Sequence, residues 1–406
     1  METRAQRTGK LFKQQGGAHL DALVCRLPQH VVMLTGYQPI LGNTFCIVSR
    51  NRAQEVEIRL AVPQDEADLV PIGTAVEVQT FVEETLESIG TTLEAVREPI
   101  ARLVHSAKLP ADAVVGYEGA DLPIAPSYTQ VGIPGTTSLD LLLQVFPSGD
   151  LRNATPWLAE LAAIKTDEDV EAIRLCQAVA HRGFAAAREA IHVGTTEADI
   201  AAATYAALIE TGYSVPYAQQ VQPHVHVMTG ARAALAYRSF NLTSNATVGR
   251  EDTVLVQMEV GINGYWAELT RTFFGGGISD EWRRAHQACV YAQDAALRHV
   301  RAGAHACDID DAARQVLQQA GFGSAFKHGL GHGCGFQAIN HAAAPVLHPA
   351  SNAVLRSGMV HNMEPAVYLE DRGGLRLNDT VVVHAEGNEV LSSAIPRDLD
   401  WLVVDQ

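Results

Sequence analysis

Hydrophobic positions along the 406-residue chain change rhythm near residue 155. Upstream, short apolar runs are separated by turn residues. Residues 22–25, 31–34, 44–48, 59–62 and 113–117 read as strands. Residues 80–89 and 93–104 space their apolar positions three or four apart and predict helices, with Pro99 expected to kink or split the second. Residues 138–145 fit either a helix or a strand. The Pro/Gly/Ser-rich stretch 146–156 reads as a linker, so the expected division is 1–155 for a mixed α/β domain and 156–406 for a second domain.

From residue 157 the pattern is helical. In Thr166-Asp-Glu-Asp169 the hydroxyl can take orphan helix amides while the carboxylates favour the positive helix end. This capping box opens an alanine-rich helix that runs to His192 and stops at Gly194. His192-Val-Gly194-Thr-Thr-Glu-Ala-Asp-Ile200 then leads into a helix ending at Gly212. Arg301-Ala-Gly303-Ala-His-Ala-Cys-Asp-Ile309 leads into another ending at Gly321, with the same spacings, Asp199 matching Asp308 and Leu208 matching Leu317. Each copy follows a long helix, 169–191 or 280–300, and precedes strand-like segments. Such a duplication predicts two halves around a pseudo-twofold axis, with a site between them. Residues 254–274, VLVQMEVGINGYWAELTRTFF, read as two strands joined at a glycine-rich turn, with Glu268 in the second.

Composition narrows the function. Apolar residues make up 47% and charged residues 19%, enough for large cores. The net charge of −16 argues against a nucleic-acid or anionic-membrane partner, which would require a basic stripe, and says little about a small substrate. Cys25, Cys46, Cys176, Cys289, Cys307 and Cys334 are scattered without a CxxC pair, as reduced thiols of a cytoplasmic protein would be. The polar N-terminus lacks a signal-peptide core, and no run of about 18 apolar residues suggests a membrane span. Neither a Gly-x-Gly-x-x-Gly nor a phosphate-loop pattern is present.

Four polar clusters fall in the strand-rich parts of the second domain. They are Gln257 with Glu268; His328-Gly-Leu-Gly-His332 with His341 beyond it; Glu364 in Asn362-Met-Glu-Pro365; and Gly373-Gly374-Leu-Arg376-Leu-Asn378-Asp379. Alternation puts Glu268 with Thr270, and Arg376 with Asn378, on single strand faces. Buried histidines and carboxylates are costly unless paired or metal-bound, which makes their convergence a candidate site. Taken alone, His341 reads as a structural histidine and Glu364 as a loop carboxylate. His224 and His226, in QPHVHVM, have ligand-like spacing but read as part of a surface strand.

The stretches ELAAIKTDEDVEAIR, IHVGTTEADI, GYWAELTRTF, HGLGHG, GMVHNMEPAVY and GGLRLNDTVVV resemble, in order, the creatinase, prolidase and aminopeptidase P family. The resemblance implies an α/β (α+β) architecture: a pita-bread catalytic domain of two pseudo-twofold halves behind a creatinase-like N-terminal α/β domain. It also implies a homodimer. The family's metallopeptidases bind two metals through Asp, Asp, His, Glu and Glu, and the motifs carry these positions to Gln257, Glu268, His332, Glu364 and Asn378. Two neutral amides there disfavour a metal pair. What the resemblance leaves is Glu268, His332 and Glu364 for at most one Zn²⁺ or Mn²⁺, or a metal-free site such as creatinase has. The family histidine of creatinase falls at Tyr237.

The resemblance implies hydrolysis of an amide or related C–N bond in a small substrate. Its catalytic residues would be Glu364, His328, His341, Arg376 and Tyr368, with Tyr237, His341 and Arg376 contacting substrate. The expected substrates are Xaa-Pro peptides or compact guanidino or cyclic amino-acid derivatives. The two altered ligand positions also allow a non-catalytic ligand- or partner-binding relative, or a metal-free lyase or isomerase acting on a small metabolite.

Overall fold

The computed structural model describes residues 3–13, 19–40, 43–83, 85–87, 89–119, 136–238 and 243–404. These divide into one unit up to Ala162 and a second from Ala163. After the short helix α1 (Arg4–Gly9), the first unit is a mixed six-stranded sheet of β1 (Ala22–Cys25), β2 (Phe45–Arg50), β3 (Val56–Pro63), β4 (Glu77–Phe81), β5 (Val114–Tyr117) and β6 (Asp150–Asn153). Its order is β4-β3-β2-β1-β5-β6. Helices α2 (Pro28–Thr35), α3 (Thr92–Ser106) and α4 (Thr136–Val145) belong to it, and α5 (Thr155–Ala163) leads out. Ile47, Phe81 and Val115 of the sheet form one core with Val96, Ile100 and Leu103 of α3 and Leu141 and Leu142 of α4.

Several sequence expectations change here. Residues 31–34 lie in α2, because Pro28 at its start and Gly36 at φ 75° cap a helix that the apolar run alone could not reveal. Within 80–89 no helix forms among the described residues, and β4 takes positions 80 and 81; residues 84 and 88 lie outside the description. Pro99 sits inside a continuous α3, in which a Thr91–Glu94 capping box fixes the start. The expected linker 146–156 instead contains β6, paired in parallel with β5. The break between units thus falls one helix beyond residue 155.

The second unit carries α6 (Asp167–Ala190), α7 (Glu197–Tyr213), α8 (Asp280–Leu297) and α9 (Ala306–Gln319), with a last short helix α10 (Leu399–Leu402). Its larger sheet runs β15-β9-β8-β7, from β7 (Val221–Thr229), β8 (Asp252–Ile262), β9 (Tyr265–Gly275) and β15 (Val403–Val404). A second sheet, β10-β13-β14, and a hairpin, β11-β12, use β10 (Val360–Met363), β11 (Ala366–Leu369), β12 (Gly373–Arg376), β13 (Asp379–Val383) and β14 (Asn388–Val390). No described helix is long and apolar enough to cross a membrane.

The duplication read from the sequence is visible as repeated wiring. Gly194 (φ 95°) donates its N–H to the Val248 carbonyl at 2.8 Å, and Gly303 (φ 85°) donates to Leu355 at 2.8 Å. Two residues after each glycine, Thr196 bridges Thr247 and His305 bridges Val354. In β8 the alternation is complete: Val254, Val256, Met258 and Val260 share one face, and Gln257 and Glu259 share the other. The apolar face meets α6 so closely that a Cβ on Gly183 would lie 3.2 Å from Met258 Sδ and 2.6 Å from Leu208 of α7. The polar face of β8 is thereby turned away from the helices.

Candidate active site

The hairpin of β8 and β9 closes at Asn263-Gly264, with φ of 49° and 80°, the signature of a two-residue turn matched to strand twist. The turn sets the register: Gln257 opposes Thr270, and Glu259 opposes Glu268. On the other side of β8, His226 opposes Gln257 and His224 opposes Glu259. One sheet face therefore presents His224, His226, Gln257, Glu259, Glu268 and Thr270. The neighbouring Arg271 is fully buried and ties the sheet to the chain beyond, donating to Asp379 Oδ1 at 2.7 Å and to the Asn378 carbonyl at 2.9 Å.

His332 reaches this face from an extended segment laid between β10 and residues 343–347. Its glycine neighbours follow from that squeeze. A Cβ on Gly331 would sit 2.2 Å from the Asn362 carbonyl oxygen, and one on Gly333 would sit 2.1 Å from that of Ala344. The Asn362 N–H donates to the His332 carbonyl at 2.9 Å, and the Glu364 N–H donates to Leu330 at 2.7 Å, which fixes both side chains opposite β9.

His332 Nε2 stands 3.5 Å from Glu268 Oε2 and 3.6 Å from Glu364 Oε1. The ligand atoms of these three buried residues all lie within 4.8 Å of one another. His332 Nδ1 donates to the Gly333 carbonyl at 3.1 Å, leaving Nε2 as the ligand-capable atom. The set fits one divalent ion. The position for a second does not fit. The Arg376 guanidinium donates to Gln257 Oε1 and, at 3.2 Å, to Thr270 Oγ1. It also lies 3.9 Å from Glu364 Oε2. The wholly buried Asn378 amide meets no hydrogen-bond partner among the described residues. An organic cation and two neutral amides thus replace the charges a second ion would need.

The other expected residues converge as well. Tyr368 donates to His328 Nε2 at 3.1 Å, and His328 donates from Nδ1 to the Gly329 carbonyl at 2.7 Å. His341 packs edge-on to His332, with ring centroids 4.9 Å apart. Tyr237 leans on Tyr368 at 5.5 Å. A cavity of about 290 Å³ is lined by Tyr237, Glu268, His328, His332, His341, Glu364 and Arg376, with Ile339 and Val346 supplying apolar wall.

The electrostatics split the two carboxyl groups. Burial first, then the charges of Glu364 and Glu259, push Glu268 well above the ordinary carboxylate range. Burial pushes Glu364 up too, but Arg376 and then His332, His328 and His341 outweigh it, and the net shift is downward. Burial lowers His332 to about 4 and lowers His328 as well, so both rings are neutral near pH 7. Burial raises Tyr368 to about 12, which keeps its hydroxyl a donor.

Two features escape a reading of the sequence. His224 and His226 lie half-buried on the edge strand β7 and flank Glu259, at 4.0 and 3.4 Å from its Oε2; Glu259 is wholly buried and accepts from Gln257 Nε2 at 2.7 Å. Counting in twos from Gln257 along β8 reaches Glu259 and would have flagged it. Asn362 donates from Nδ2 to Glu268 Oε2 at 3.3 Å and to His332 Nε2 at 3.2 Å. It stands two residues before Glu364, which was its only signal.

The profile of metallopeptidase family M24 matches residues 171–385, more than half of the chain, and the chain belongs to that family. Its relatives include the Xaa-Pro dipeptidase of Pyrococcus furiosus, 27% identical over 265 residues that cover 64% of this chain and 73% of that protein. The probable dipeptidase PepE of Mycobacterium tuberculosis is 30% identical over 251 residues, 60% of this chain and 64% of that one. The matched stretch leaves about a quarter to a third of each relative uncovered. Among solved structures, the X-Pro aminopeptidase from Thermotoga maritima MSB8 superposes with a TM-score of 0.78 at 22% identity, over 98% of this chain and 100% of that one. The prolidase from Pyrococcus horikoshii OT3 gives 0.75 at 20% identity, over 98% and 99%. The second unit has the pita-bread fold of this family.

Proposed function

We propose that the protein hydrolyses an amide C–N bond in a small substrate of the Xaa-Pro peptide kind, at a single centre of Glu268, His332 and Glu364 holding at most one ion. The convergence of these three side chains on one point beside Arg376 carries the reading. Relatives named Xaa-Pro dipeptidase and X-Pro aminopeptidase support the substrate class, and a cavity of about 290 Å³ suits a short peptide.

Glu364, ionised under the influence of Arg376, takes a proton from water as the water oxygen adds to the carbonyl carbon. Arg376 and His341 stabilise the charge that develops on the carbonyl oxygen. When the C–N bond breaks, the leaving nitrogen takes a proton from Glu268, whose proton affinity burial raises. His328, anchored by Gly329 and Tyr368, orients the substrate together with Tyr237. When bound, one Zn²⁺ or Mn²⁺ at Glu268, His332 and Glu364 would supply Lewis acidity and an acidified water.

The test is turnover of a panel of Xaa-Pro dipeptides, with creatine-like and cyclic amino-acid amides beside them. Cleavage of Xaa-Pro substrates, lost in Glu364→Gln, is the expected result. Binding of these compounds with no product from any of them would favour a ligand-binding role, for which the neutral Gln257 and Asn378 are the supporting observation. The working form is taken to be a homodimer, a reading supported by the exposed apolar side chains Ile72, Leu86 and Ile89 of the first unit.

A further inference from the structure

Asn362 is wholly buried on β10, and its surroundings fix which way its amide faces. Oδ1 accepts the backbone N–H of His332 at 2.7 Å. Nδ2 is left to donate, at 3.3 Å to Glu268 Oε2 and at 3.2 Å to His332 Nε2. Turning the amide over would set its NH₂ against the His332 N–H, donor against donor. His332 is fixed in the same way: Nδ1 carries the hydrogen that goes to Gly333, so the ring's one lone pair is on Nε2.

That lone pair faces Glu268 and Glu364, and it can accept an N–H or bind an ion, but not both. Glu268 Oε2 has a second lone pair to offer; His332 Nε2 does not. We infer that Asn362 is a built-in competitor for the cation, a positioning residue whose carboxamide caps the His332–Glu268 edge and holds the centre in a metal-free form. An ion can enter only by displacing Nδ2 from His332. This rests on the reading of Glu268, His332 and Glu364 as the reaction centre. The amide N–H does part of the work a cation would do there, donating to both ligand atoms without adding a charge.

The experiment compares the chelator-stripped wild-type protein with Asn362→Ala and Asn362→Asp. The aspartate variant keeps the acceptor for the His332 N–H, replaces the donor by an oxygen of the same size, and covers the case in which the alanine variant fails to fold. Zn²⁺ binding is measured by calorimetry, and the His332 ring nitrogens are followed by ¹⁵N NMR before and after loading. Zn²⁺ should bind about tenfold more tightly to Asn362→Ala than to the wild type, the worth of one released hydrogen bond, and more tightly still to Asn362→Asp. In the stripped wild type, His332 Nε2 should carry the shift of a hydrogen-bonded lone pair, and loading should move it. Equal affinities in wild type and Asn362→Asp, with His332 ligated in both, would overturn the proposal whatever the turnover. If affinities change as expected while no Xaa-Pro substrate is cleaved, stripped or loaded, the proposed hydrolysis fails and the role of Asn362 stands.

Discussion

Glu268 and Glu364 approach the same imidazole nitrogen, yet their surroundings push their proton affinities apart. Chemistry by the ion-free protein needs Glu364 ionised and Glu268 protonated, so kcat/KM should trace a bell. Its acid limb should lie below the usual carboxylate value of about 4.3 and its alkaline limb above it. Arg376→Gln removes the nearest cation from Glu364, so it should move the acid limb upward and lower kcat/KM by about 10²- to 10³-fold. Steady-state rates over roughly pH 3–9 check both, and an acid limb unmoved in the variant would contradict the role given to Arg376. Stability is linked to Glu268 in a definite direction. Its folded-state pKa is raised, so the contribution of its neutral form is present at low pH and is lost as pH climbs from the ordinary carboxylate range through the raised value. Glu268→Gln stays neutral throughout. In the absence of metal it should melt about 2–4 °C above wild type at neutral pH, while losing activity. Calorimetry that finds it melting lower would argue against a buried, crowded Glu268.

Elements show what the sequence could and could not convey. HGLGHG is conspicuous as a string, but only the packing explains its glycines: the segment passes between two backbones that leave no room for a Cβ. Gly333→Ala should therefore cost about 1–3 kcal/mol and, by shifting His332, at least about tenfold in kcat/KM. Gly387→Ala, where a Cβ would meet nothing within 4 Å, should be silent in both. Chemical denaturation and kinetics on the pair decide it; equal effects would mean that the close approach at Gly333 does not matter. Caps and turns were legible where their chemistry is local, as at Thr166, Gly194 and Asn263-Gly264. Residues 31–34 were not, since four apolar residues look alike in a strand and a helix, and Pro28 and Gly36 decide the matter from outside the run.

For the whole molecule, the second unit was readable because its caps, duplicated turns and hairpin all point to one architecture. Long-range contacts that neither a motif nor the resemblance flagged were not readable. Nothing in QPHVHVM announces Glu259, and nothing in NMEP announces that its asparagine meets His332. The exposed Ile72, Leu86 and Ile89 predict that sedimentation velocity will give a species of twice the chain mass, and that Ile72→Glu with Leu86→Glu will shift it to one chain. A wild-type monomer would count against the homodimer.

Whether Glu268, His332 and Glu364 form a single centre where a metal pair would otherwise sit is read from the ion stoichiometry. Protein stripped with chelator, reloaded with excess Zn²⁺ and desalted should carry no more than about one ion per chain by elemental analysis, and His332→Ala should carry none. Two ions per chain would rule out the single centre, because Arg376, Gln257 and Asn378 would then have to make room for a charge that their arrangement opposes.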